Sequence, residues 1–170
     1  MLKYLLVDGY NIIFSWVSLK NIATQSLDNA RNKLTNMLNN FAGFTGERII
    51  LVFDAHKVNG GVEVIKTTNN IITVYTKEKE TADVYIERTS RTLAKKYTVR
   101  VATSDVTEQI IIIGQEATVI SSTLFEEEVN LVMSHVYEII SKKPIKNNML
   151  IDNLDKGTAK MLEELRNTKT

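Results

Sequence analysis

Two runs in this chain, Tyr4–Val7 and Ile49–Phe53, are apolar at every position, and each is followed at once by an aspartate. A strand with one wet face alternates apolar and polar side chains, so an unbroken run requires cover on both faces. That constrains the fold to a sheet enclosed between other layers. Two further β-like runs, 70–76 (NIITVYT) and 97–105 (YTVRVATSD), join 3–8 (KYLLVD) and 48–54 (RIILVFD) as expected strands.

Helical patterns separate these runs. Leu27, Ala30, Leu34, Met37 or Leu38, and Phe41 recur at steps of three and four, with Ser26 placed to cap and Gly43 or Gly46 to stop. Ala82, Ile86, Thr89, Leu93 and Tyr97 repeat the spacing after the third strand. A long helix is expected from Thr123 to Lys143, opened by a Thr123/Glu126 capping box and halted before Pro144, the sole proline. A shorter one is expected over Asp155–Arg166. Residues 107–115 read as a short buried helix closed by Gly114, followed by a strand at 117–121. Residues 56–70, with Asn59-Gly60-Gly61, read as a mobile loop or a weak edge hairpin. This alternation predicts an α/β fold with a mostly parallel sheet covered by helices on both faces.

At 170 residues the chain is long enough for one domain with a sizeable core. No apolar stretch approaches the roughly 20 residues that cross a bilayer. Asp8 breaks the first apolar run, which argues against a signal peptide, and cysteine is absent. A soluble, cytoplasmic protein without membrane association is the expectation. The net charge of +1 gives no general affinity for polyanions, so phosphate would be held by local patches or by cations.

The acids supply such a place. Asp8, Asp54 and Asp105 each end a proposed strand, and Asp83 opens the helix after the third. In an open parallel sheet the C-terminal strand ends share one edge, where ligands bind. Any one of these acids alone is better explained as a turn residue, and Asp83 also by the helix dipole. The coincidence of four is what points to chemistry. Two carboxylates about 4 Å apart repel by roughly 4 kcal/mol at an effective dielectric near 20, so the cluster must take up protons or cations. All-oxygen ligands favour one or two Mg²⁺ or Mn²⁺ ions. Asn11, Thr103 and Ser104 are placed to position a phosphate or a water, with Gly9 read as the residue that lets the chain turn sharply beside the ion.

Other residues keep two readings. His56 is placed either to contact phosphate or to make local loop hydrogen bonds, while His135 falls in an amphipathic helix as packing or surface. Arg88, Arg91 and Lys95, with Lys77 and Lys79, form either a guide for a nucleic-acid backbone or an ordinary solvated face. Tyr10 is either a stacking platform for a base or a buried residue fixing the turn. Glu80 and Glu87 read as solvated. No Ser/His/Asp arrangement, zinc constellation or glycine-rich phosphate loop is present in the sequence, so no small organic cofactor is expected.

Four segments, LLVDGYN, VFDAH, TKEKETAD and VATSD, in this order and spacing, resemble the motifs of the YacP-like group of NYN-domain nucleases, relatives of the PIN domain. The resemblance implies a three-layer PIN-like fold over residues 1–146, with a C-terminal helical tail, 147–170, packed on the same domain. It implies a metal-dependent endoribonuclease whose acidic centre is Asp8, Asp83 and Asp105, with Asp54 as a further acid at the metal. Asn11, Thr103, Ser104, His56 and Arg88 are then the candidate substrate contacts. The group includes a ribosome-dependent mRNA decay endonuclease, so mRNA and the ribosome are the implied partners. The competing expectation is a catalytically inactive RNA- or ribosome-binding module of the same fold. A phosphoacceptor domain lacks its lysine in ATVISS (117–122), and a haloacid-dehalogenase-type phosphatase lacks Asp-x-Asp at Asp8.

Overall fold

A computed structural model describes residues 2–54, 64–114 and 117–142. Residues 1–137 form one compact unit and 138–170 a second, of which only 138–142, the end of a helix, are described. His56, Pro144, the helix expected at Asp155–Arg166 and the 146/147 boundary lie outside the described residues.

The expected alternation is present. Strands β1 (Lys3–Asp8), β2 (Arg48–Phe53), β3 (Val64–Thr68), β4 (Ile71–Tyr75), β5 (Thr98–Ala102) and β6 (Thr118–Ile120) form one sheet in the order β3-β4-β2-β1-β5-β6. All neighbours run parallel except β3, which pairs antiparallel with β4. The β3–β4 turn uses Asn69 at φ 50°, a left-handed conformation that asparagine tolerates better than most residues. Of the segment 56–70, expected as a mobile loop or a weak edge hairpin, the described residues 64–70 form the edge strand β3 and its turn into β4.

Helices α1 (Gly9–Ser15), α2 (Val17–Ala23), α3 (Leu27–Thr45), α4 (Ala82–Ala94), α5 (Val106–Ile113) and α6 (Ser122–Lys142) cover both faces. Alternate strand residues divide the core in two. Leu5, Val7, Ile49, Leu51 and Phe53 pack with Trp16, Leu34, Phe41 and Phe125 from α2's cap, α3 and α6. Leu6, Ile50, Val52 and Val101 pack on the opposite face with Ile86 of α4 and Ile112 of α5. The unbroken apolar runs are thus covered on both sides, as three layers require.

Two local points depart from expectation. Residues 9–23 form two helices that the strand reading of the opening motif left unassigned. Helix α6 begins one residue before Thr123, and Ser121 Oγ accepts from Leu124 N at 3.3 Å, so Ser121 makes the cap contact. Gly46, with φ 73°, stops α3, one of the two glycines expected to do so. Ser26 caps α3 as expected, accepting from Asn29 N at 3.2 Å.

Gly9 also has a different reason from the one expected. It is the first helical residue of α1, not a left-handed turn. What requires glycine is the Phe53 ring, which occupies the place where a Cβ would stand. Through this contact α1 closes on the end of β2, and Tyr10 meets the same ring edge-on at 5.1 Å. Gly9→Ala is predicted to destabilise the fold by about 1–3 kcal/mol in urea unfolding. Phe53→Leu in the same chain should recover part of that loss, giving a non-additive double-mutant cycle. An additive cycle would show that the ring contact is not the cause.

Candidate active site

β1 is the strand at which the connections change direction. From it the chain proceeds outward through β2 and β4, then crosses back to β5 and β6 on its other side. Ligand clefts of open α/β sheets lie at the C-terminal strand ends at such a switch. A cleft of about 610 Å³ is found there, lined by Asp8, Asn11, Asp54, Asp83, Ser104 and Asp105, with Tyr10 and Phe14 on one wall.

Local structure sets each side chain. Asp8 ends β1 and caps α1, its Oδ1 accepting from Asn11 N at 3.0 Å. Asn11 turns its own Oδ1 across to the β5–α5 segment, accepting from Ser104 N at 2.9 Å and Ser104 Oγ at 2.8 Å. These bonds tie the first helix to the last motif. Asp83 stands in the first turn of α4, whose cap is Thr81, accepting from Val84 N at 3.3 Å. Asp105 caps α5, its Oδ1 accepting from Thr107 N at 2.7 Å and Glu108 N at 3.2 Å.

Glu108 is the residue that sequence reasoning missed. Asp8, Asp83 and Glu108 each offer a carboxylate oxygen, and these oxygens all lie within 4.8 Å of one another. Glu108 lines a smaller adjoining cleft that shares Asp83 and Asp105 with the first. It is only 4% exposed, and neither of its oxygens has a hydrogen-bond partner. The available signal was its place three residues after Asp105, the reciprocal position of a capping box. That pattern alone reads as helix capping, and a helix rich in isoleucine gave no reason to look further.

Electrostatics follow from burial and crowding. Burial, together with Asp83 and Asp54, raises Asp8 to about 6, against the Asn11 and Tyr10 backbone hydrogen bonds that lower it. Burial first, then the charges of Asp83, Asp8 and Asp105, raise Glu108 to about 7. The Thr103 hydroxyl, near Glu108 but outside hydrogen-bonding geometry, offsets this only in part. Asp83 is also raised, by burial and then by Asp105 and Asp54. A set of carboxylate oxygens with buried, unpartnered members suits a hard divalent cation such as Mg²⁺ or Mn²⁺.

The other candidates are placed less uniformly. Thr103 is fully buried and outside the cleft lining, its Oγ1 accepting from Asp105 N at 3.1 Å. It shapes the turn below the cleft, where its hydroxyl oxygen accepts the Asp105 amide. Arg88 is likewise outside the cleft lining, paired with Glu80 at 3.0 Å and lying over the Tyr85 ring. Arg91 pairs with Glu87 at 3.0 Å. Tyr10 is buried, its hydroxyl accepting from Arg31 Nε at 3.0 Å, whereas Phe14 is 43% exposed at the cleft. Among the described residues no helix is long and apolar enough to cross a membrane.

The raised Asp8 pKa makes the metal-free protein pH-dependent in a definite direction. Because folding raises this carboxyl from 3.8 to about 6, the folded state binds the proton more tightly than the unfolded state. Asp8 therefore favours folding most below pH 4, and that contribution is lost as pH rises through about 6, a loss of roughly 3 kcal/mol. In EDTA, Asp8→Asn should melt higher than wild type at pH 8, and the gap should shrink by pH 5. Parallel melting curves across that range would contradict it. Asparagine retains the α1 cap, so the comparison isolates the charge.

Comparison with known proteins matches this geometry to a family. The model of the YacP-like NYN domain matches residues 5–167. A curated relative from Bacillus subtilis strain 168, "Uncharacterized protein YacP", is 43% identical over 74 residues, covering 39% of this chain and 44% of the relative. The matched stretch is thus under half of that relative's length. The crystal structure of Rae1 (YacP) from Bacillus subtilis superposes with a TM-score of 0.74 at 34% identity, covering 97% of this chain and 95% of that one. A crystal structure of a tryptophan-to-leucine mutant of the same Bacillus subtilis protein gives a TM-score of 0.70 at 33% identity, covering 96% of this chain and 99% of that one. The NYN fold is of nuclease type and typically works with divalent metals, which agrees with the acidic cleft. With the family model spanning nearly the whole sequence, the chain belongs to the YacP-like NYN domain family.

Proposed function

We propose that this protein is a divalent-metal-dependent endoribonuclease that cuts mRNA in association with the translating ribosome. The observation that carries the reading is the convergence of the Asp8, Asp83 and Glu108 carboxylates in a cleft also lined by Asp54 and Asp105. Asp8 and Asp83 are the residues assigned to hold the ion. When bound, such an ion supplies positive charge against a phosphodiester and acidifies water at neutral pH.

The chain's own residues do the rest. Asp8 is fixed by its cap on α1, and Asp83 projects from the first turn of α4, so the Asp8 carboxylate and the Asp83 backbone are set before substrate arrives. Asn11 fixes Ser104 at the opposite wall, leaving the Ser104 segment at the cleft as a contact for a phosphate. The exposed Phe14 ring offers a face on which an unpaired base can stack, which suits a single strand. The near-neutral chain has little general attraction for polyanions, so association with RNA depends on this cleft and on a docking partner. The ribosome as that partner is carried over from the family resemblance of the four motifs.

The reading is tested by incubating wild type and the Asp8→Asn/Asp83→Asn double variant with translating ribosomes, with and without Mg²⁺, and mapping new mRNA 5′ ends. New ends should appear only with wild type and Mg²⁺, and the double variant should lose roughly 100-fold or more of the rate. Equal cutting by the double variant would overturn the assignment of the site. Binding to ribosomes without any metal-dependent ends would favour the non-catalytic module.

A further inference from the structure

We propose that the cleft between the end of α3 and the β3–β4 turn, at the pole of the sheet opposite the acids, binds an unpaired nucleobase. The choice of a base over another flat polar ring rests on the nuclease reading above; the site itself does not. The cleft has a volume of about 470 Å³ and is lined by Asn39, Asn40, Gly43 and Phe44 of α3 and by Asn69 and Asn70 of the turn. Asn70 O accepts from Ile49 N at 2.9 Å, which sets the turn beside the start of β2. β2 and β4 run for six and five residues from this end, which puts the cleft roughly 20 Å from the acidic edge.

Its chemistry is unlike that of the first cleft. No lining residue carries a charge, so neither a cation nor a phosphate finds a counter-charge there. Four side-chain amides take that place, each with N–H donors and a carbonyl acceptor. Asn69 Nδ2 donates to Asn39 Oδ1 at 3.4 Å, a long bond, and the Asn40 and Asn70 side chains have no hydrogen-bond partner among the described residues. The edge of a base presents matching donors and acceptors, and an asparagine amide pairs at two points with adenine N6 and N7. Phe44 supplies the flat apolar surface. It is 49% exposed, and its ring stacks on His135 with centroids 6.1 Å apart.

The sequence of α3 also points to a ligand. Asn39, Asn40 and Gly43 are poor helix formers, yet they stand in α3 before its cap at Gly46. With Phe44 they fall on one face of the helix, the face at the cleft. The turn accounts for Asn69, whose φ is 50°. Nothing comparable accounts for Gly43. Its φ is not left-handed, and a Cβ built on it would meet no atom within 4 Å. Alanine would fit there and favour the helix, so neither packing nor backbone conformation demands glycine. What glycine keeps open is the wall of the cleft, where a flat ring can approach the helix backbone.

The test is titration of the ¹⁵N-labelled full chain, in EDTA, with adenosine, cytidine, uridine and glucose, read from backbone and side-chain amide NMR signals. Adenosine should move the Gly43 amide and the four asparagine side-chain signals saturably, and should bind more tightly than the other three. Gly43→Ala should weaken that binding about tenfold while melting no lower than wild type, an outcome that a purely structural glycine would not give. Phe44→Ala should also weaken it about tenfold, the loss of one stacked base. Wild-type affinity in both variants, or no saturable shift at these residues with any nucleoside, would overturn the proposal. Glucose binding as tightly as adenosine would make the cleft a sugar site and overturn the assignment of a base. No metal is present in this titration and no cleavage is read, so its failure and that of the nuclease reading are separate results.

Discussion

The rest of the structure depends on holding one carboxylate out of water at the end of the central strand. Asp8 is 8% exposed, at the end of a strand whose three preceding residues are fully buried. The sheet on either side of β1 runs parallel, so the ends of β2 and β5 come to the same edge and bring Asp54 and the Thr103–Asp105 turn with them. A helix must start immediately after Asp8 so that its carboxylate can accept the Asn11 amide. That start is possible only because residue 9 has no Cβ to strike Phe53. Strand end, cap and glycine are one device.

Crowded acids oppose this arrangement. At the separations found here, carboxylate pairs repel by some kcal/mol at protein-like dielectric, and each buried member adds a desolvation cost. The fold offsets part of this with backbone amides at helix N-termini, which serve Asp8 and Asp105 directly. The remainder appears as raised proton affinity at Asp8, Asp83 and Glu108. Free energy stored in this way is released when a cation replaces the protons, which gives binding at the cleft its driving force. Function and instability thus have one source.

Much of this was legible in the sequence for identifiable reasons. The unbroken apolar runs required a covered parallel sheet, and strand-terminal aspartates at Asp8, Asp54 and Asp105 then had to share an edge with Asp83. Four acids were therefore expected at one cleft, and all four line it. The two short helices of residues 9–23 were not legible, because an aspartate and glycine after a strand read as a turn. Glu108 was hidden for a related reason, since capping pattern and metal ligand look identical along a helix until the sheet brings Asp8 beside it. Thr103 and Arg88 were attractive by residue type, yet one is buried under a turn whose amide it accepts and the other pairs with Glu80 outside the cleft lining. Sequence spacing shows which element carries a polar group, not which neighbour takes up its hydrogen bonds.

The central question for this molecule is whether the acidic convergence is a cation site. Crystals of the full chain soaked with Mn²⁺, with data collected at the manganese edge, address it most directly. An anomalous peak in direct contact with the Asp8 and Asp83 carboxylates is the expected result. Those carboxylates remaining without a peak at millimolar Mn²⁺ and near-neutral pH, or a peak held only by residues elsewhere, would contradict it.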